Sequence, residues 1–280
     1  MRRLKGFKMM LMAFAVCCLF GMTSQEVFAK SVSEKEGNET QETAMEIEAN
    51  EQTAVNAANG KSSTLYHVDG TVYSDEQDWY KVYLTKGEQY VSLNGDAVDV
   101  VVWTENGKMV LDESYIKTSF GFSGFPFDAE SAGYYYVQIT TTRSYASYIL
   151  SVGDPNYSAA ECTVKLGSVT MSSRQNSVEF DLRKADMLPE GAVVYSILMD
   201  GLNSQTVSAV DVTNVSAGKK INLGVYTWSK DRLESSNLLL KSKWKVTFTR
   251  KEYVSFTPSI KLYYVYPITS TTVEDNITFS

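Results

Sequence analysis

Apolar and polar residues alternate along most of the chain in short runs, separated by Gly, Asn, Asp and Ser. In the segment Asp78–Leu84, Tyr80, Val82 and Leu84 share one side and Trp79, Lys81 and Tyr83 the other, because side chains alternate across a strand. One face is therefore expected to be buried and the other partly wet. Lys86-Gly87 turns the chain into a strand at residues 90–93, and Asn94-Gly95-Asp96 turns it again into residues 99–104. Consecutive valines in the latter predict a strand covered on both sides. Asn106-Gly107 is a hairpin signal, since a tight type I′ turn needs positive φ at both positions. Strands at 134–140 and 145–152 follow, and Gly153-Asp154-Pro155-Asn156 then breaks the pattern.

Beyond that break, candidate strands fall at 163–169, 177–182, 193–199, 206–212, 243–249 and 259–266. Trp244, Val246 and Phe248 alternate as an inward face, whereas Tyr263, Tyr264 and Tyr266 put rings on both faces, as a domain interface would. Phe120, Phe122, Phe125 and Phe127, laced with Gly121 and Gly124, predict a core strand. The one helical stretch expected is short, at 42–49, and no segment keeps an amphipathic period over three turns. The pattern predicts an all-β chain of two β-sandwich domains, at 51–155 and 156–280, preceded by a signal peptide at 1–29 and an acidic leader with a short helix at 30–50.

The signal-peptide expectation rests on Arg2, Arg3, Lys5 and Lys8 ahead of an apolar run over residues 9–22, then Val27-Phe28-Ala29 with the small residues of a cleavage site. The run falls short of the about 20 apolar residues that a spanning helix needs. Cleavage after Ala29 would remove four basic residues and one acidic residue from a chain of formal charge −7, leaving −10. That charge argues against nucleic acid as a partner. Of the three cysteines, only Cys162 lies beyond residue 29, so no internal disulfide is expected after cleavage.

Four features of the first half occur in a recognisable order. They are an acidic opening (Glu34, Glu36, Asn38, Glu39, then Thr43-Ala44 and Ile47), Asp75-Glu76-Gln77-Asp78-Trp79-Tyr80, the pair Phe127-Asp128-Ala129 and Ala132-Gly133-Tyr134-Tyr135-Tyr136-Val137, and Tyr148-Ile149-Leu150-Ser151-Val152. Together they resemble the pre-peptidase C-terminal family, which includes the collagen-binding domains of clostridial collagenases. The resemblance implies a jelly-roll-like first sandwich. It also implies a shared calcium ion, with Glu34, Glu36, Asn38, Glu39, Asp75 and Asp78 as candidate ligands. Carboxylates and an amide suit calcium, a hard cation that takes six to eight oxygens, and not zinc. Glu39 stands where the family usually has Asp. A solvated acidic leader and a turn-capping Asp75 are the plain alternatives for the same residues.

Catalytic signatures are weak. His67 is the only histidine, so a Ser-His or Cys-His system would have to centre on it. No Gly-rich phosphate loop, His-Glu-x-x-His or Gly-x-Ser-x-Gly occurs. Trp79, Trp103, Tyr134 and Tyr136 fall on the strand faces opposite the expected core, where exposed rings contact glycans or extended polypeptides. Packing under loops or against the second domain is the other reading of these rings. The sequence thus points to a secreted or surface-associated, non-enzymatic protein that binds an extracellular protein or glycan. A small hydrolase working through carboxylates of the second domain and a passive envelope protein are the alternatives.

Overall fold

A computed structural model describes residues 30–59, 65–116, 121–202, 207–223, 237–251, 253, 255–269 and 277–279. The expected signal peptide and Phe120 lie outside the described residues. The first ten strands are β1 (Lys30–Ser33), β2 (Met45–Ile47), β3 (Tyr66–Tyr73), β4 (Asp78–Leu84), β5 (Gly87–Gly95), β6 (Val98–Thr104), β7 (Met109–Tyr115), β8 (Ser123–Ala129), β9 (Gly133–Thr140) and β10 (Tyr145–Gly153). They form sheet A, in the order β1-β3-β10-β5-β8, and sheet B, in the order β2-β4-β9-β6-β7. From β3 to β6, and again from β7 to β10, each successive strand passes to the other sheet, the jelly-roll-like traffic that closes two sheets over one core. Inward residues of both sheets meet in that core, among them Val68, Leu93 and Leu150 from sheet A and Val82, Val100 and Val137 from sheet B.

The second sandwich comprises β11 (Tyr157–Lys165), β12 (Val169–Thr170), β13 (Gln175–Asp181), β14 (Val193–Asp200), β15 (Val207–Asn214), β16 (Lys219–Leu223), β17 (Leu238–Leu239), β18 (Lys243–Arg250), β19 (Ser255–Phe256), β20 (Ser259–Pro267) and β21 (Ile277–Phe279). Sheet C runs β17-β14-β20-β11-β21 and sheet D runs β13-β18-β15-β16, with β12 and β19 as a separate ribbon. Its core is distinct from the first, built around Trp244, Val246, Phe248, Leu262 and Tyr264. The chain is all-β in two sandwiches.

Two local expectations are corrected. Residues 42–49 do not form the expected helix. A 3₁₀ turn at Gln41–Thr43 gives way to β2, which lies parallel to β4 and buries Ile47. Ala, Met and Glu favour a helix in isolation, but an apolar side chain on a sheet edge overrides a propensity of a few tenths of a kcal/mol. The short helix is instead α1 (Ala54–Ala58), capped by the Thr53 side chain. Nor is the strand at 163–169 where the pattern put it. β11 starts at Tyr157 and pairs along all its length with β20, and Gly167 at φ +71° separates it from Val169 in the ribbon.

The two sandwiches are fixed against each other. Asn50 donates through its backbone N–H to the Val152 carbonyl at 2.7 Å and accepts from the Asp154 N–H at 2.7 Å. Helix α1 then packs on β11, β14 and β20 of the second sandwich. From the other side, Ile268 N–H donates to the Asn156 carbonyl at 2.8 Å, and its own carbonyl presses on Gly124, where a Cβ would sit 2.2 Å away. Only glycine permits that approach of β20's end to the outer face of sheet A.

Candidate functional site

The acidic residues singled out by the sequence gather at one end of the first sandwich. Asp78 opens β4 on the inward side, so its carboxylate enters the end of the core and is 4% exposed. Glu34, just beyond β1, reaches the same place half-buried and accepts from the Thr71 N–H at 2.9 Å and the Asn38 amide at 2.9 Å. Asn38 is itself buried and accepts the Trp79 N–H on its carbonyl, tying the acidic opening to β4. Glu36, Glu39 and Asp75 are exposed around this point.

Two tyrosines missed by the sequence reading complete the arrangement. Tyr80 from sheet B and Tyr148 from sheet A span the core, with their hydroxyls 2.6 Å apart. Tyr80 donates to Glu34 Oε1 at 2.8 Å and Tyr148 to Asp78 Oδ2 at 2.6 Å. Four oxygen groups thus form a chain of three contacts, Glu34-Tyr80-Tyr148-Asp78. Two phenols bring only two protons, so the chain needs a protonated carboxyl or a cation to be satisfied. Burial, opposed by the Tyr148 hydrogen bond and reinforced by the Glu34 charge, raises the Asp78 carboxyl from 3.8 to about 7. Glu76 is raised by desolvation and then by the like charges of Asp75, Glu36, Glu39 and Glu34. Glu76 thus feels the negative charge of four of the six residues expected as ligands. Among the described residues, no three His, Cys, Asp or Glu side chains stand in a ready-made metal-binding group.

Gly70 is what lets Tyr148 take part. The two residues pair across β3 and β10, and a Cβ on Gly70 would lie 2.5 Å from the Tyr148 ring. Gly70→Ala must push aside a buried ring held by two hydrogen bonds, and should cost about 1–3 kcal/mol as overpacking does. Urea unfolding of the variant measures this, and a loss below about 0.5 kcal/mol would show the ring free to move.

The rings expected on the outer face of sheet B do lie there. Glu46, Lys81, Tyr136, Trp103 and Met109 form one row across the sheet, and Trp79 and Gln138 stand beside each other in the next. Lys81 Nζ sits 4.0 Å from the centre of the Tyr134 ring, and Tyr83 meets Tyr134 edge-on at 5.4 Å. Tyr83 is 55% exposed, Tyr134, Tyr136 and Trp103 are half-buried, and Trp79 is 8% exposed. The indole N–H groups of Trp79 and Trp103 are both buried without a hydrogen-bond partner.

Elsewhere, His67 is half-buried on the outer face of sheet A, stacked on Phe122, with its pKa lowered by burial. Cys162 lies in the core of the other sandwich, where desolvation pushes its thiol up to about 12. The two do not meet. Phe125 and Phe127 are core residues of β8, as the pattern predicted.

No family model matches the chain, and no curated protein matches it either. Among solved structures, a chain from Eubacterium rectale assigned as a secreted protein is 12% identical over 85% of this chain and 86% of its own, with a TM-score of 0.47. A triple jelly-roll protein of an archaeal virus turret is 13% identical over 74% and 58%, with a TM-score of 0.26. The N-terminal CBM22 tandem of Xyn10C from Paenibacillus barcinonensis is 10% identical over 72% and 78%, with a TM-score of 0.21. Likeness at this level says nothing of function. Among the described residues, no helix is long and apolar enough to cross a membrane.

Proposed function

We propose that this is a secreted or cell-surface accessory protein that binds an extracellular protein or glycan on the outer face of sheet B, with calcium stabilising the first sandwich from the adjoining end. The observation that carries the binding reading is the aromatic outer face of sheet B, on which Tyr83 is exposed and Tyr134, Tyr136 and Trp103 are half-buried around Lys81. A ligand that lies across Tyr83, Tyr134 and Tyr136 gains ring-stacking surface. Lys81, held over Tyr134, would donate to its oxygens.

Calcium fits the donor set. Glu34, Glu36, Glu39, Asp75 and Asp78 would supply carboxylate oxygens, with Glu76 close by. Asn38 donates its amide to Glu34 and holds that carboxylate in place. When bound, the ion would offset the desolvation and, after it, the like-charge repulsion that raise Asp78 and Glu76. The remainder of the chemistry belongs to the chain itself, in which Tyr80 and Tyr148 fix the two inner carboxylates from opposite sheets.

Among the described residues of the second sandwich, Glu161, Glu179, Asp181, Glu190 and Asp211 are each paired with a lysine or arginine, which does not favour them as hydrolase carboxylates, and Asp181 is held down to about 2 by Arg183. A general acid needs the opposite shift.

The test is retention of the mature chain on immobilised collagen, mucin and insoluble glycans. The Tyr83→Ala, Tyr136→Ala double variant is expected to lose about tenfold in affinity for whichever support retains the parent, since stacking contributes about 0.5–1.5 kcal/mol per ring. Loss of no affinity would move the site off this face, and retention on none of the supports would favour a passive envelope role.

A further inference from the structure

Between the sandwiches lies a cleft of about 790 Å³. One wall is the outer face of sheet A, with Glu88 and Tyr90 on β5; the other is formed by residues 186–191 ahead of β14 and by the end of β20 with Tyr266. Tyr157, at the start of β11, lies where the walls meet. Because the joint is hydrogen-bonded at Asn50, Asp154 and Ile268, the cleft is preformed, which spares a ligand the cost of ordering it.

Its chemistry is one-sided. Among the described residues, three carboxylates (Glu88, Asp186 and Glu190), three tyrosines and four prolines line it, and no lysine or arginine does. Lys241 pairs with Glu190 from outside the lining. Tyr90 donates to Glu88 Oε1 at 2.5 Å and fixes that carboxylate, and burial, with the charges of Asp154 and Glu88, pushes the Tyr157 hydroxyl up to about 12, so it stays a neutral donor. The joint also carries unmet polarity. Asn156, between two residues that line the cleft, is 5% exposed with both amide atoms unpartnered, and Ser92, next along the same strand face from Tyr90, is 1% exposed with an unpartnered hydroxyl.

We propose that this cleft binds an extended basic polypeptide, seating its backbone on the tyrosine and proline rings and placing a lysine or arginine against Glu88 and Asp186. Aromatic grooves edged by acids take up extended, proline-containing segments because such segments are already stiff and present their basic side chains at a fixed period. An anionic ligand would meet only repulsion there. The site is separate from the outer face of sheet B, so either can fail without the other.

The experiment measures binding of residues 30–280 to dye-labelled, end-blocked octapeptides of alternating Pro-Arg and Pro-Glu, and to xylohexaose, by fluorescence anisotropy and calorimetry. The Pro-Arg peptide is expected to bind, more weakly as salt rises, and the Glu88→Gln, Asp186→Asn variant to lose at least about tenfold. Both side chains are exposed, and circular dichroism checks that the variant is folded. Glu179→Gln, an exposed carboxylate on sheet D outside the cleft lining, should bind the peptide like the parent. Equal binding of Pro-Glu, binding of the hexasaccharide alone, unchanged affinity in the double variant, or binding of no probe would each overturn the proposal.

Discussion

Trp244→Ala is expected to destabilise the second sandwich by about 3–5 kcal/mol, the usual loss for a large buried aromatic. Trp244 sits on β18, pairs with Phe180 on one side and Asn214 on the other, and has no exposed surface. Its indole N–H donates to the Leu240 carbonyl at 3.1 Å, so truncation removes a buried hydrogen bond as well as volume. For a unit of this size each kcal/mol moves the midpoint by about 4 °C, giving a fall of roughly 10–20 °C. Trp244→Phe should recover part of the loss by refilling the cavity without the bond. Because the two cores are separate, calorimetry should show the lower transition belonging to the second sandwich. A fall of less than about 1 kcal/mol would mean that Trp244 is not a core residue.

That face was readable before any coordinates, because Trp244, Val246 and Phe248 alternate with lysine and threonine and period 2 has one structural meaning. The same holds for β4 and β9, whose inward and outward residues fall as the alternation places them. The errors arose where local signals were weak or misleading. Residues 42–49 read as helix because propensity is local, while their strand state depends on β4 more than thirty positions away. The start of β11, Tyr-Ser-Ala-Ala-Glu, lacks the β-branched residues that mark strands, and is held extended by pairing with β20.

The candidate site was half legible. Carboxylates at matching spacing could be picked out, and the structure gathers them at one end of the sandwich. Tyr80 and Tyr148 could not be, since each reads as an ordinary core residue of its own strand; their hydroxyls meet only because sheets A and B face each other there. Glu76 was on view between Asp75 and Asp78, but nothing in a one-dimensional pattern says on which side of a turn a carboxylate will lie. Of the tyrosines at 263–266 that read as a domain interface, only Tyr266 lines the cleft between the sandwiches, while Tyr264 belongs to the second core and Tyr263 packs against Tyr195; docking of one sandwich on another leaves no periodic trace.

In the absence of divalent cation, the first sandwich is expected to gain stability as pH falls from 7 to 4. Asp78 titrates near 7 when folded and at 3.8 in the reference state, so in that window the folded chain binds a proton that the unfolded chain has released. Stability then falls with rising pH. A shift of this order corresponds to a few kcal/mol, enough to be read in a midpoint and opposite in sign to the usual acid destabilisation of carboxylate pairs. Calcium should reverse the slope. The ion competes with the proton for the chain of Glu34, Tyr80, Tyr148 and Asp78, and favours the deprotonated form that high pH supplies. At a hundredfold excess over its dissociation constant it adds about 2.7 kcal/mol, so the midpoint at pH 7 should rise by roughly 10 °C and return on chelation. Asp78→Asn removes the titrating group and should flatten the chelated profile as well as abolish the calcium shift. A flat profile in the parent would mean that Asp78 does not hold the extra proton of this chain. A sloping profile with no response to millimolar calcium would keep the shared proton and discard the metal, leaving a buried acid pair that holds the two sheets together on its own.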